Sequence, residues 1–276
     1  MKKRPCEPQI GADIEVFLYD NVKDRVIPCV GHIDGTKDKP FEPKGYKKGF
    51  ALQEDNVMLE YNIPPAKTDN TWVNRFDRAR DMITEHLPED CSYVIKSEHK
   101  FMPSELMSPQ AQVIGCEPDF SAYDGGEIRA FAGVLGQERS CGGHIHLGGD
   151  FNCPDFVAAL FSDLFLGVLG GTRPQRANSR TEWYGMPGIF RPKPYGIEYR
   201  TPDNTWTIDN DSIHTVGYYA LMLAQFLTQT EAAIIRKAFN SINWPRVRDY
   251  MTPGKVDRGD CYRAIQTEAM AAGVLA

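Results

Sequence analysis

Polar and apolar residues alternate along four short stretches of the chain, and each stretch holds two polar residues separated by one apolar residue. Successive side chains of a β-strand point to opposite faces, so each polar pair is expected on one face and its apolar neighbours on the other. The polar pairs are Asp13/Glu15, Glu60/Asn62, His144/His146 and Glu198/Arg200. The apolar neighbours are Ile14/Val16, Leu59/Tyr61, Ile145/Leu147 and Ile197/Tyr199. If these strands lie side by side, their carboxylates, imidazoles and guanidinium converge on one face of a sheet.

Further strands are predicted outside the polar pairs. The strand-like segments are 10–19, 25–33, the two arms of a hairpin at 50–63, and 91–101. The hairpin is expected to turn at 54–56 and to end at Pro64. Residues 34–50 are rich in Gly, Pro and Lys and are expected to form an exposed loop.

Apolar residues at helical spacing predict three helices. Asp69 or Thr71 can cap the first helix, whose apolar stripe would be Trp72, Phe76, Ala79 and Ile83. A second helix is expected at 154–169, with proline in its first turn and two glycines after its end. A third is expected from about 211 to 239. Because hairpins and helices alternate, the chain favours an antiparallel or mixed sheet with helices covering one face.

Composition narrows the classes of function. The 276 residues carry a net charge of −6, which gives no overall indication of nucleic-acid binding. Seven scattered cysteines without a Cys-x-x-Cys pair favour a reducing cytoplasm over a disulfide framework or zinc ribbon. The most apolar window, 156–169, is too short to span a membrane and contains Asp163. We expect a soluble cytoplasmic protein of one domain, 1–276, with neither nucleic-acid nor membrane partners.

Two of the polar pairs have ordinary explanations as well as functional ones. Asp13 and Glu15 are compatible with incidental charges on an edge strand. Glu198 and Arg200 are compatible with a structural ion pair, although Glu suits Mg²⁺ or Mn²⁺ and the planar guanidinium suits phosphate.

The other two pairs indicate function more directly. Glu60 lies among apolar residues, and a buried carboxylate needs a cationic partner. His144 and His146 lie between two pairs of glycines that would let a ligand approach, which favours a metal or phosphate site over satisfied core histidines.

A loop at 171–194 carries basic residues among Gly and Pro, directly before the last polar pair. They are Arg173, Arg176, Arg180, Arg191 and Lys193. A solvated surface is the ordinary explanation, but in an acidic protein such a cluster favours anion binding. The chain has no P-loop and no dinucleotide fingerprint, so nucleotide would be held in another way. The oxygen-rich donor set favours Mg²⁺ or Mn²⁺ over zinc.

At these residues the chain resembles the glutamine synthetase and glutamate–cysteine ligase superfamily of carboxylate–amine ligases, in particular the phage-type COOH·NH2 ligases. The similar segments are GADIE at 11–15, LEYNIPP at 59–65, GCEPDFSAY at 115–123, GGHIHLG at 142–148 and IEYRTPDN at 197–204. The resemblance covers about 10–205 and leaves 206–276 as a helical C-terminal part. It implies an α+β fold with a curved, mainly antiparallel sheet and helices packed on its outer face.

The resemblance also implies roles for individual residues. One metal near the terminal phosphates of ATP would be shared by Asp13, His144 and Glu198. A second metal would be held by Glu15 and Glu60, with Asp55 as a further candidate. Contacts to ATP would come from His146, Arg176, Arg180 and Arg200, and catalysis from Arg180, Arg191 and Arg200. Asp13 stands where the synthetase has a longer Glu, and Glu117 or Asp119 would be candidates for the base.

The function implied by this resemblance is ATP-dependent amide formation through an acyl phosphate, with Mg²⁺ or Mn²⁺ as cofactor. The substrates would be small-molecule or peptide carboxylates and amines, and relatives that share active sites between subunits make a homo-oligomer an open alternative. Two other functions stay open. One is a guanidino-kinase-like phosphotransferase of the same fold, and the other is a non-catalytic, phage-associated binding protein.

Overall fold

The computed structural model describes residues 7–112, 118–128, 136–172 and 184–275. Within these residues the strands are β1 (Gln9–Asp20), β2 (Arg25–Ile27), β3 (Ala51–Asp55), β4 (Met58–Ala66), β5 (Cys91–Val94), β6 (Glu98–Lys100), β7 (Asp119–Ser121), β8 (Gly126–Ile128), β9 (Glu138–Ser140), β10 (Gly143–Gly148), β11 (Ile189–Lys193) and β12 (Gly196–Tyr199). Ten of them form one open sheet in which β3, β4, β1, β10, β12, β11, β7 and β8 follow one another. All of the neighbouring strands in this order pair antiparallel.

The helices in the same residues are α1 (Asp69–His86), α2 (Pro109–Gln112), α3 (Asp155–Ser162), α4 (Asn210–Gln229), α5 (Ala232–Ser241), α6 (Trp244–Met251) and α7 (Arg258–Ala271). A π-helical segment, Asp163–Leu169, continues α3, and short 3₁₀ turns lie at Pro103–Leu106 and Asn204–Thr207. The predicted α+β class is therefore confirmed. Among the described helices, none is both long and apolar enough to cross a membrane.

β1 is the strand around which the sheet is built. Its first part pairs with β4 on one side and β10 on the other, and its last part pairs with β2 and β5. Most of its residues are buried, because it has neighbours on both edges and helices on one face.

One face of the sheet supplies the main core. The eight predicted apolar neighbours, from Ile14 to Tyr199, are all buried in a single cluster. The cluster also contains Trp72 and Phe76 of α1 and Ile213 and Val216 of α4. The apolar half of each alternating pattern therefore faces the helices, which leaves the polar half on the opposite face.

Several predicted strand boundaries are wrong, and a proline explains one of the errors. The predicted strand at 25–33 is present only as Arg25–Ile27, because Pro28 follows. By contrast, β4 continues through Pro64 to Ala66. Its register with β1 shifts in this part of the strand, and a proline, which has no N–H to donate, is tolerated at such an irregularity. The segment 91–101 forms two strands, β5 and β6, which pair with β1 and β9.

The predicted helices also need correction at their ends. Thr68, rather than Asp69 or Thr71, caps α1, since its hydroxyl accepts the amide of Thr71 at 3.2 Å. The helix expected at 211–239 is two helices, because Thr230 adopts an extended conformation between α4 and α5. The long loop at 34–50 is mostly exposed, as predicted.

Candidate active site

The strand register brings the polar pairs together. Asp13 of β1 stands opposite His144 of β10, and Glu15 stands opposite Glu60 of β4. On the other side of β10, His146 stands opposite Glu198 of β12. The polar residues of four adjacent strands therefore share one face of the sheet.

A first cluster of metal-capable groups consists of Asp13, His144 and Glu198. One ligand atom from each lies within 4.8 Å of the other two. The Nδ1 atom of His144 is 2.9 Å from Asp13 Oδ1 and 3.7 Å from Glu198 Oε1. Both His144 and Glu198 are buried, so their positions are set by the strands that carry them.

A second cluster consists of Glu15, Asp55 and Glu60, again with ligand atoms within 4.8 Å of one another. Asp55 is the last residue of β3, next to β4 in the sheet. Lys37, from the loop before β3, lies 2.9 Å from the Asp55 carboxylate. Residues of three adjacent strands and one loop thus meet at this point.

The neighbouring strand β11 and the end of β12 bring positive charge to the same face. Lys193 Nζ is 2.9 Å from Glu198 Oε2, and Arg200 forms a close ion pair with the same carboxylate. Arg191 Nη1 is 3.7 Å from Glu198 Oε1. Asp119 lies 2.9 Å from Arg191 Nη2 and 3.0 Å from Arg200 Nε, so it holds both guanidiniums in place.

The two clusters and the cationic side chains line one cavity of about 350 Å³. Its lining residues are Asp13, Glu15, Lys37, Asp38, Gln53, Asp55, Glu60, His144, Arg191, Lys193, Glu198 and Arg200. The cavity thus has an acidic side over β3, β4 and β1 and a basic side over β11 and β12. An anion with bound cations matches this distribution of charge.

Burial and neighbouring carboxylates raise the pKa of two acidic groups in the second cluster. Burial raises the pKa of Glu60 well above its usual range, and Asp13, Asp55 and Glu15 raise it further. Burial also raises the pKa of Glu15, although the Gly142 amide donates to its carboxylate at 2.6 Å. Too little positive charge surrounds these two carboxylates, and a divalent cation would supply the charge that is missing.

In the first cluster, by contrast, nearby positive charges lower the pKa of the carboxyl groups. Burial alone would raise the pKa of Glu198, but the positive charges of Arg200, His144 and His146 together outweigh burial, and the pKa falls to about 2. Burial opposes ionisation of Asp13 as well, yet His146 and His144 bring its pKa well below the usual range. Burial works against the charged form of His146, and the nearby Asp13 carboxylate overcomes it, so the pKa of His146 is raised.

The donor atoms suit a hard divalent cation. Each cluster offers carboxylate oxygens, and the first adds one imidazole nitrogen, a combination found with Mg²⁺ or Mn²⁺. Neither cluster contains a cysteine, the ligand most typical of structural zinc.

The glycines before β10 have a structural reason of their own. A Cβ atom at Gly142 would come within 2.2 Å of the His144 ring, and one at Gly143 within 2.4 Å of the Asp203 carbonyl oxygen. A side chain at either position would collide with the His144 ring or with the 202–206 segment. The packing of the protein itself therefore requires glycine here, whether or not a ligand binds.

Most of the residues predicted for the site lie in or beside the cavity. Asp13, Glu15, Glu60, His144, Glu198, Arg191 and Arg200 line the cavity, and His146 lies 3.1 Å from Asp13 beside it. Arg173, Arg176, Arg180 and Glu117 lie outside the described residues. The roles expected of all these residues stay predictions.

The site also contains residues that were not predicted from the sequence, and Lys37 and Tyr184 are two that contact predicted site residues directly. Lys37 comes from a loop that was expected to be merely exposed, and nothing in its local sequence indicates a contact with Asp55. Tyr184 contacts both His144 and Arg200, with its hydroxyl 2.6 Å from a nitrogen of each. Its place within the arginine-rich loop 171–194 was the available signal for it.

The fold and the site together define a class of protein whose sheet presents carboxylates, imidazoles and guanidiniums on one face. The chain belongs to the family described as phage phiEco32-like COOH.NH2 ligase-type 2, whose model matches residues 95–247, more than half of the 276 residues. The match includes His144, Glu198 and Arg200 and begins after Asp13, Glu15 and Glu60. By this description, the family is one of carboxylate–amine ligases.

Other comparisons add less. No curated protein matches the chain. Among solved structures, it is similar to a bifunctional glutathione synthetase from Pasteurella multocida, with 11% sequence identity and a TM-score of 0.47. That similarity covers 98% of this chain and 45% of the synthetase, so the chain spans less than half of its length.

Proposed function

We propose that this chain is an ATP-dependent carboxylate–amine ligase that forms an amide through an acyl phosphate. The observation that carries the proposal is the single cavity in which two groups of metal-capable side chains stand beside Arg191, Lys193 and Arg200. Membership of the COOH.NH2 ligase family supports the reaction class. We further propose that the chain is a distant member of the glutamine synthetase and glutamate–cysteine ligase superfamily and that 1–276 forms one catalytic domain.

Each cluster has a proposed role. Asp13, His144 and Glu198 would hold one cation, and Glu15, Asp55 and Glu60 a second. Mg²⁺ or Mn²⁺ would supply the positive charge that lets two anions, a triphosphate and a carboxylate, approach each other.

The first half of the proposed reaction is phosphoryl transfer. A carboxylate oxygen of the acid substrate attacks the γ-phosphorus of ATP, and the bond from that phosphorus to the bridging oxygen breaks, which releases ADP. Arg200 and Arg191 would lie along the phosphoryl group, because Asp119 and Glu198 fix both guanidiniums at the cavity wall. Preorganised positive charge stabilises the charge that builds up during such a transfer.

The second half is amide formation. The amine nitrogen attacks the acyl carbon, the bond from that carbon to the phosphate oxygen breaks and releases phosphate, and the nitrogen gives its proton to a base, for which Glu117 and Asp119 stay the candidates. A carboxylate has no good leaving group, so phosphorylation is needed before an amine can displace one of its oxygens. The proposed substrates are small-molecule or peptide carboxylates and amines.

Calorimetric titration with MgATP, followed by mass spectrometry of products from a panel of acids and amines, tests the proposal. We expect ATP to bind only with a divalent cation, and an amide, ADP and phosphate to form together. Glu198→Gln should abolish turnover, whereas Glu138→Gln, an exposed residue of β9, should not. The fold should be retained in both variants.

The alternatives give different results. ADP formation that needs a guanidino compound, with a phosphorylated product and no amide, would indicate a phosphotransferase. Equal ATP affinity with and without EDTA, or no ATP binding at all, would contradict the proposed function and favour a binding protein.

A further inference from the structure

Tyr184 is the residue that joins the first metal-capable cluster to the basic side of the cavity. Its hydroxyl oxygen lies 2.6 Å from His144 Nε2, and Arg200 Nη2 donates to the same oxygen at 2.6 Å. We infer that Tyr184 is a positioning residue, which orients the His144 ring toward the cation and holds the Arg200 guanidinium beside it. This inference rests on the proposed function and adds a residue to its machinery.

The short segment that carries Tyr184 is fixed to the strands of the site. The hydroxyl of Thr201 donates to the carbonyl of Met186 at 2.8 Å, and the amide of Gly188 donates to the buried Asp163 carboxylate at 3.0 Å. The amide of Arg200 donates to the carbonyl of Ile189 at 2.9 Å. Tyr184 is therefore tied on its C-terminal side to the strand end that carries Arg200.

The two ring nitrogens of His144 face different partners. Nδ1 faces Asp13 and Glu198, the other members of the first cluster, with Arg200 Nη1 at 3.3 Å, and Nε2 faces Tyr184. A cation in this cluster would take the lone pair of Nδ1, which leaves the ring proton on Nε2. The Tyr184 oxygen can accept that proton, in the way that outer partners of metal-bound histidines usually orient the ring.

A tyrosine suits this position because its hydroxyl can both donate and accept. Without a cation, a proton on His144 Nδ1 would point to the Asp13 carboxylate, and Tyr184 could then donate to Nε2. The hydroxyl thus stays paired with the ring in either arrangement. Phenylalanine would keep the edge-on packing of the two rings, whose centroids are 6.1 Å apart, and lose only the hydroxyl.

The test compares Tyr184→Phe with Tyr218→Phe, an exposed tyrosine of α4. Mn²⁺ affinity is measured by calorimetry without nucleotide. We expect Tyr184→Phe to bind Mn²⁺ at least about tenfold more weakly, the size of effect seen when an outer partner of a ligand is removed. Tyr218→Phe should bind like the wild type, and all three proteins should unfold at the same temperature.

A second measurement separates this inference from the proposed function. NMR of the histidine ring nitrogens, in the metal-free protein, reports which nitrogen of His144 carries the proton. Changed His144 signals together with weaker Mn²⁺ binding in Tyr184→Phe support the inference. Unchanged signals and unchanged affinity overturn it.

If the wild type binds no Mn²⁺, the proposed function falls, and the His144 signals alone decide the role of Tyr184. A change in Tyr184→Phe would then support its action on the ring, and no change would overturn it.

Discussion

Arg200 lies where the acidic and basic sides of the cavity meet, in contact with Glu198, Asp119 and Tyr184. Arg200→Lys would keep the positive charge and lose the planar fork that makes these contacts together. Removing one preorganised hydrogen-bond donor to the transition state typically costs about 3–4 kcal/mol. We therefore expect kcat to fall by roughly two orders of magnitude, with little change in the Kd of nucleotide.

Steady-state kinetics and nucleotide titration check this expectation, with Arg236→Lys on the exposed side of α5 as the control. Weaker ATP binding with an intact kcat would assign Arg200 to ground-state binding instead.

Lys37 places its charge against the second cluster, 2.9 Å from Asp55, where it partly offsets the rise that burial and the neighbouring carboxylates cause in the pKa of Glu60. A cation entering the cluster would meet this ammonium as a competitor for the same carboxylates. The Lys37 side chain is 44% exposed, so solvent weakens its effect to about 1 kcal/mol or less. Lys37→Met should therefore tighten Mn²⁺ binding by up to about fivefold.

Calorimetry with Lys39→Met, an exposed residue of the same loop, provides the matched comparison. Weaker Mn²⁺ binding in Lys37→Met would show that the ammonium supports the site.

At the scale of elements, the π-helical segment Asp163–Leu169 places a buried carboxylate beneath the site. The hydroxyl of Tyr199 donates to Asp163 at 2.6 Å, but Oδ2 of Asp163 has no hydrogen-bond partner among the described residues. Burial raises the pKa of Asp163 from an ordinary value near 3.8 to about 7. π-Helical turns often occur near functional sites, and this one connects the core to the strand that carries Glu198.

This raised pKa predicts how stability depends on pH. A carboxyl group that binds its proton more tightly in the folded state contributes stability fully below about pH 4, and that contribution is lost as the pH rises toward 7. Between about pH 5 and pH 7 the loss should be on the order of 2 kcal/mol. Asp163→Asn keeps an acceptor for Tyr199 and Gly188 and cannot ionise, so its unfolding free energy should fall less over this range.

Urea unfolding at several pH values measures the difference. Asp150→Asn, which changes an exposed carboxylate, should follow the wild type. Parallel pH profiles for the wild type and Asp163→Asn would contradict the assignment.

For the whole molecule, the cavity gathers more negative charge than its own cations balance. Because the pKa of Glu60 is raised by burial and by three carboxylates, its contribution to stability is lost as the pH rises. At pH 8 in EDTA, Glu60→Gln should therefore stabilise the protein by about 1 kcal/mol, or roughly 2–4 °C in Tm. Mn²⁺ should raise the Tm of the wild type by mass action, and raise that of the variant less.

Thermal unfolding with and without Mn²⁺ measures both effects, and Glu89→Gln on an exposed turn is the control. If Mn²⁺ raised the Tm of the wild type and of Glu60→Gln equally, Glu60 would not be a ligand of the cation.

Local geometry explains what the sequence alone could predict. The period of two in a strand is a property of the backbone, so it places Asp13 and Ile14 on opposite faces whichever strands lie beside them. The same holds for Trp72 and Phe76 on the buried face of α1, which follow the period of a helix. The polar pairs, the apolar core and the α+β class all follow from such short-range patterns.

Only the tertiary structure decided which of these residues meet. Asp13 and His144 are 131 positions apart in the chain, and their contact depends on the pairing of β1 with β10. Lys37 reaches Asp55, and Tyr184 reaches His144, from loops whose paths depend on contacts far away in sequence. The break at Thr230 also involves a distant residue, because the side-chain amide of Asn152 donates to the carbonyls of Thr228 and Thr230. Local periodicity thus determines the face on which a side chain lies, and long-range strand pairing determines which residues surround it there.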